Sequence, residues 1–96
     1  MADYKYNVVM KTLLGQKKGT IELFSVNGKL TGFLDILGKR NAFEGTISKD
    51  GKCKLSGNII TLVQSIPYIA TGYADKNKIE LTLKCKKYVF NILGCS

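Results

Sequence analysis

The feature that most constrains this chain is a weak internal repeat built on glycine-containing turns. The motif Leu14-Gly15-Gln16-Lys17 recurs 23 residues later as Leu37-Gly38-Lys39-Arg40. At the same spacing, Asn27-Gly28-Lys29 recurs as Asp50-Gly51-Lys52. A period of about 24 residues accommodates two strands and two turns, and four such units fill the 96 residues. Because the apolar residues show no helical period, the repeat predicts about four β-hairpins.

The turns set the expected strand register. Asn27-Gly28 is the preferred two-residue type I′ turn, because both residues tolerate positive φ. Gly51 suits the left-handed position of a three-residue loop. A turn over residues 38–41 would place Leu34 opposite Gly45. The strands that result span about residues 4–12, 18–26, 29–37, 41–48, 52–61, 66–74, 78–85 and 88–95.

Mid-strand glycines shape the predicted sheet. When the strands are aligned, five glycines lie beside a large apolar residue on the same face: Gly32, Gly45, Gly57, Gly72 and Gly94. Such pairs let a sheet coil tightly, and an antiparallel meander with one apolar face closes into a barrel, which removes its edges. We therefore expect an all-β protein with a single domain, residues 1–96. Its eight-stranded antiparallel up-and-down meander closes into a small barrel.

The strand number, the glycine positions and the L-G…(N/D)-G-K repeat together resemble those of calycin-like small bacterial barrels. This broad grouping includes lipocalins and streptavidin, and the resemblance covers most of the chain. It implies ligand binding inside the barrel. The sequence departs from the lipocalin pattern because it has no Gly-x-Trp motif and no tryptophan. No residue roles are therefore carried over.

The absence of histidine restricts the chemistry available to this chain. It removes the commonest general base and metal ligand, together with every Ser-His and Cys-His nucleophile. The expected register sets Asp35 opposite Glu44, where the pair could share a proton, but two carboxylates alone make a poor metal site. Cys53 and Cys85 are expected in the core as reduced thiols. We therefore expect no enzymatic activity, no metal site and no cofactor.

The net charge of +8 comes from fourteen lysines and one arginine against seven acids. In an up-and-down meander, alternate turns lie at the same end of the barrel. One end should therefore collect basic residues and no acid, and could attract an anionic ligand. The alternative is that these side chains are simply solvated. The candidate binding residues at this end are Lys17, Lys18, Lys39, Arg40, Lys86 and Lys87.

Alternation along the strands also assigns several aromatic side chains to the inner face. Buried tyrosine hydroxyls need partners, so a group of them indicates a polar-lined cavity. The alternative is ordinary packing at the barrel ends, because eight-stranded barrels can be filled by side chains alone. Tyr68 is expected on this face. The aromatic residues proposed to contact a ligand are Tyr4, Tyr6, Phe43, Tyr88 and Phe90.

The outer face is more apolar than a wet barrel surface requires, which predicts self-association, as a dimer. The residues expected in this interface are Phe24, Phe33, Ile60, Ile69, Tyr73 and Val89. The leading hypothesis is a non-catalytic barrel that binds a small, apolar or anionic ligand. The alternative is a structural, homo-oligomeric module with a filled core, and a weak non-specific nucleic-acid binder is third. Neither a secretory leader nor an apolar run of ~20 residues is visible, so we expect a cytoplasmic protein.

Overall fold

The computed structural model describes residues 2–12, 15–60 and 64–96, which form a closed antiparallel barrel. Each strand pairs with the next along the chain, and the first pairs with the last, as the sequence predicts. None of the described residues belongs to a helix long and apolar enough to span a membrane. The strands are Ala2–Thr12 (β1), Gly15–Val26 (β2), Lys29–Ile36 (β3), Lys39–Ile47 (β4), Lys52–Ile60 (β5), Ser65–Ala74 (β6), Lys78–Lys84 (β7) and Val89–Cys95 (β8).

Two of the predicted turns are confirmed. Asn27 and Gly28 both have positive φ, 52° and 80°, as a type I′ turn requires. Gly51 has a φ of 92° and closes the three-residue loop between β4 and β5. The Ser48 amide donates to the carbonyl of Lys52 at 2.9 Å, which fixes the pairing of these two strands. Glycine is needed at position 51 because this backbone conformation is strained for other residues.

The turn between β3 and β4 differs from the prediction. Leu37 and Gly38 form a two-residue turn with φ of 56° and 76°, so the turn does not extend over residues 38–41. As a result Leu34 faces Asn41, and Gly45 faces Leu30 rather than Leu34. Leu37 is a non-glycine residue in the left-handed region, and its side chain is exposed. Leucine is a weak turn signal, which is why the sequence predicted a turn over residues 38–41 instead.

The corrected register moves several charged residues. Asp35 faces Arg40, and Glu44 faces Thr31, so the carboxylate pair expected between Asp35 and Glu44 does not form. Lys17 and Lys18 were expected in a turn but lie within β2. Residues 13 and 14 of that first turn lie outside the described residues.

The last connection follows its prediction. Lys86 and Lys87 lie in the link between β7 and β8, where the Cys85 amide donates to the Tyr88 carbonyl at 2.8 Å. This bond closes the link and leaves both lysine side chains exposed.

Apolar side chains from every strand form one core cluster inside the barrel. Large residues fold over the mid-strand glycines of neighbouring strands, as predicted. A Cβ at Gly32 would lie 2.7 Å from the ring of Phe43, and a Cβ at Gly57 would lie 3.0 Å from the hydroxyl of Tyr68. These cross-strand pairs leave no room for a side chain at either glycine.

Two strand pairings stop short at the end that carries the β3–β4 and β7–β8 connections. The β4–β5 pairing stops at Phe43 and Gly57, although β4 reaches back to Lys39 and β5 continues to Ile60, so these two strands separate. The β6–β7 pairing begins at Ile69, although β6 begins at Ser65. The β5–β6 hairpin therefore projects from the barrel.

The side chain of Asn41 ties this projecting hairpin back to the sheet. This polar side chain is buried, with 2% of its surface exposed. Its Oδ1 accepts a hydrogen bond from the Ile60 amide at 3.0 Å, and its Nδ2 donates to the Leu34 carbonyl at 3.1 Å. The side-chain amide thus replaces backbone pairing where β5 leaves β4.

We expect Asn41→Ala to lower the free energy of unfolding by about 1–3 kcal/mol, because it removes the partner of the partly buried Ile60 amide and of the buried Leu34 carbonyl. Urea denaturation measures the change. Asn7→Ala, at an exposed asparagine of β1, is the control and should cost less than about 0.5 kcal/mol. Equal losses in the two variants would contradict this role for Asn41.

Candidate ligand-binding sites

The structure places most of the predicted inner aromatic residues in or against the core. Tyr6 and Phe43 are buried, and Tyr4 and Phe90 pack against the core while partly exposed. The Tyr6 hydroxyl donates a hydrogen bond to the backbone carbonyl of Asp75, and burial, with a smaller contribution from Tyr4, raises the pKa of Tyr6. These rings therefore belong to the core cluster or pack against it.

Tyr88 was also assigned to the inner face, and this prediction is wrong. It lies in the β7–β8 connection and is 46% exposed. Its ring stacks on Phe90 with centroids 5.9 Å apart. Alternation failed here because Tyr88 precedes the first residue of β8, so the strand periodicity does not apply to it.

A surface cleft of about 300 Å³ lies between the projecting hairpin and the β7–β8 connection. Residues 64–67 form one side of this basic-end cleft, and Cys85, Lys86, Lys87 and Tyr88 form the other. Pro67, Cys85 and the Tyr88 ring supply apolar surface, and the two lysines are exposed beside them. The cleft therefore brings together three of the predicted ligand residues, with Phe90 stacked against the third.

The other basic residues of the predicted set do not line this cleft. Lys17, Lys18 and Lys39 are exposed on β2 and β4 at the same end of the barrel, by the order of the meander. Arg40 was expected there as a cation, but it points to the outer face of the sheet. Its Nη1 lies 3.0 Å from Oδ2 of Asp35.

Two further contacts fix the Arg40 side chain in this position. Its Nη2 lies 3.5 Å from Oε1 of Glu22, and its guanidinium carbon lies 4.1 Å from the ring centroid of Phe33. Cation–π contact adds to the two ion pairs. Arg40 is therefore paired with two carboxylates of its own chain, and its role as a ligand-binding residue stays a prediction.

A second surface cleft, the aromatic groove, crosses the outer face from β2 to β6 and has a volume of about 600 Å³. Phe24 and Phe33 meet edge to face in it, with centroids 6.4 Å apart and an interplanar angle of 80°. Polar atoms come from Glu44, Ser56 and Asn58. The groove lies over the point where the β4–β5 pairing ends.

Tyr68 borders this groove and is 4% exposed. Its hydroxyl has no hydrogen-bond partner among the described residues. Burial, together with the nearby Cys85 thiol, raises the pKa of Tyr68 to about 12, so the hydroxyl keeps its proton near neutral pH. Sequence reasoning assigned this ring to the inner face but could not show that its hydroxyl lacks a partner.

A third cleft, of about 470 Å³, lies at the opposite end of the barrel, beside the β4–β5 and β6–β7 connections. The Asp75 carboxylate there accepts hydrogen bonds from the amides of Asn77 and Lys78, at 2.8 and 2.9 Å, and these bonds lower its pKa. The Tyr73 hydroxyl donates to the same carboxylate at 3.1 Å. These hydrogen bonds stabilise the β6–β7 connection, so the polar groups in this cleft have a structural role.

The residues expected in a dimer interface lie on separate parts of the barrel. Phe24 and Phe33 belong to the aromatic groove, and Tyr73 packs on Gly51 beside the β6–β7 connection. Ile69 and Val89 are 54% and 61% exposed and flank Lys84 on adjacent strands. Ile60 is exposed at the end of the projecting hairpin.

The thiols and carboxylates of the described ranges form no group of three or more that could hold a metal ion. Burial raises the pKa of Cys53 to about 11 and also raises the pKa of Cys85. Both thiols are therefore protonated at neutral pH, and a thiol is a weaker nucleophile than a thiolate.

We expect Tyr68→Phe to leave the free energy of unfolding unchanged or to raise it by about 1 kcal/mol, because it removes an unpaired buried hydroxyl and keeps the ring. Tyr6→Phe is the matched control. It removes a hydroxyl that donates to Asp75, and should cost about 1 kcal/mol. Chemical denaturation distinguishes the two, and a Tyr68→Phe loss as large as that of Tyr6→Phe would show that the hydroxyl is bonded in solution.

The chain was compared with protein-family models and with curated proteins, and neither comparison gives a match. The closed barrel of eight antiparallel strands is compatible with a small-barrel fold. Candidate functions therefore follow from the clefts, the charges around them and the exposed side chains.

Proposed function

We propose that this protein is a non-catalytic binding barrel that takes a small, partly apolar anion in the basic-end cleft. The observation that carries the proposal is the position of Lys86 and Lys87 beside the exposed ring of Tyr88. A small-molecule site commonly combines apolar walls with a few charged groups that fix orientation. An aromatic or aliphatic body would contact Tyr88 and Pro67, and its anionic group would lie near the lysines.

The charge distribution along the barrel supports an anionic ligand. Exposed lysines at positions 17, 18 and 39 lie at the same end as the cleft, and their fields add to those of Lys86 and Lys87. The connections at the opposite end carry Asp50 and Asp75 beside Lys49 and Lys76, so the positive charge there is partly offset. An anion that approaches the barrel is therefore drawn toward the basic end. A calycin-like relationship would fit a ligand-binding role, although the site proposed here is a surface cleft.

The second candidate function is a homo-oligomeric interaction module. A cluster of buried apolar side chains lies inside the barrel, and Ile69 of β6 and Val89 of β8 expose apolar surface on either side of β7. Such surface favours contact with another protein surface. A weak nucleic-acid binder is third, since its electrostatic attraction needs only the lysines.

The binding proposal is tested with 1-anilinonaphthalene-8-sulfonate, a fluorescent aromatic sulfonate. Lys86→Glu with Lys87→Glu should weaken its binding about tenfold, because two nearby attractive charges become repulsive. Lys49→Glu with Lys76→Glu makes the same change in net charge at the opposite-end cleft, and should weaken binding less than about twofold. Equal effects of the two pairs would show that the dye responds to net charge alone and would overturn the proposed site.

The oligomeric alternative is tested by light scattering at increasing protein concentration. If Ile69 and Val89 form an interface, Ile69→Lys with Val89→Lys should convert a dimer to a monomer. The far-UV circular dichroism spectrum should stay unchanged, because both side chains are exposed on the monomer. A monomeric wild type at millimolar concentration would remove this candidate.

A further inference from the structure

We propose that the aromatic groove is a second binding site, for small neutral aromatic molecules that carry one hydrogen-bond acceptor, with the Tyr68 hydroxyl as the donor. This site lies on the other side of the projecting hairpin from the basic-end cleft, and the two share Pro67. It does not depend on the function proposed for that cleft. Three features of the groove carry the inference.

The first feature is an opening in the barrel wall. The β4–β5 ladder ends at Phe43 and Gly57, and the next residues, Ala42 and Asn58, line the groove. Beyond this point β5 is joined to β4 by the side chain of Asn41 rather than by backbone pairing, while it stays paired with β6. The groove therefore lies directly over the place where the two strands part.

The second feature is an unpaired donor beside that opening. The Tyr68 hydroxyl lies 3.0 Å from the position that a Cβ would take at Gly57, the residue at which the β4–β5 ladder ends. A buried polar group without a partner is costly, and a bond to a ligand acceptor would recover that cost. The hydroxyl can act as a donor near neutral pH because it keeps its proton.

The third feature is the surface that would hold the body of the ligand. Phe24 and Phe33 present rings at 80° to each other, and the guanidinium of Arg40 packs on Phe33 and fixes its position. A volume of about 600 Å³ lies within the range of small-molecule sites. The carboxylate of Glu44 in the groove disfavours anions, so the expected ligand is neutral, in contrast to that of the basic-end cleft.

The test compares two probes of nearly equal shape, acetophenone and ethylbenzene, by amide chemical shifts of the ¹⁵N-labelled protein. Only acetophenone carries a carbonyl acceptor. We expect both to shift the amides of Ala42, Gly57 and Asn58, and acetophenone to bind about fivefold more tightly. In Tyr68→Phe the two affinities should become equal, because the variant keeps the ring and loses the donor.

Tyr88→Phe is the control, since it removes an exposed tyrosine hydroxyl of the basic-end cleft and should keep the fivefold preference. Phe24→Leu should weaken both probes to the same degree. The proposal is overturned if neither probe shifts the groove amides, if the wild type binds both equally, or if the preference survives in Tyr68→Phe. None of these results bears on sulfonate binding at Lys86 and Lys87, so the two proposals fail separately.

Discussion

The close approach of neighbouring strands at glycine is the constraint on which the barrel depends. A Cβ at Gly45 would lie 1.9 Å from the carbonyl oxygen of Lys54, and one at Gly72 would lie 1.9 Å from that of Glu80. Any side chain at these positions would force the strands apart and break the ladder. Since the glycines recur on successive strands, the sheet coils strongly enough for β1 to meet β8. Large residues from the partner strands then occupy the space above the glycines and complete the core.

Both candidate sites arise where this regular pairing ends. The barrel proper is closed by backbone hydrogen bonds, and its inner face is filled by apolar side chains. The β5–β6 hairpin separates from β4 and runs past the end of β7, so one of its sides forms the wall of the basic-end cleft and the other overlooks the aromatic groove. Irregularity at one end of the fold thus supplies concave surface that a short, fully paired barrel would lack.

Local turn chemistry made most of the fold predictable from the sequence. Asn27-Gly28 and Gly51 have strong preferences for positive φ, and they set the registers of β2–β3 and β4–β5 correctly. The predicted β3–β4 register was wrong because Leu37 adopts a left-handed conformation that the sequence does not signal. That error also misplaced Arg40, whose partners Asp35 and Glu22 are set by the register.

The binding surfaces were less predictable than the strands. Lys86, Lys87 and Tyr88 were found from charge and aromatic content, but their common cleft depends on how far the hairpin projects. Whether the hydroxyl of Tyr68 finds a partner among the described residues depends on distances in three dimensions. Periodicity alone assigns a residue to a face of a sheet and says nothing about whether its polar atom meets a partner there.

The projecting part of β6 leaves one strand edge without a neighbour, and an open edge of this kind usually invites pairing with another chain. Pro67 lies within this stretch, two residues before the pairing with β7 begins at Ile69. Because proline has no amide hydrogen, the edge lacks one of the donors that an incoming strand would need. The same residue therefore gives the hairpin two properties at once: it forms a wall for both clefts, and it makes the exposed edge a poor template for aggregation.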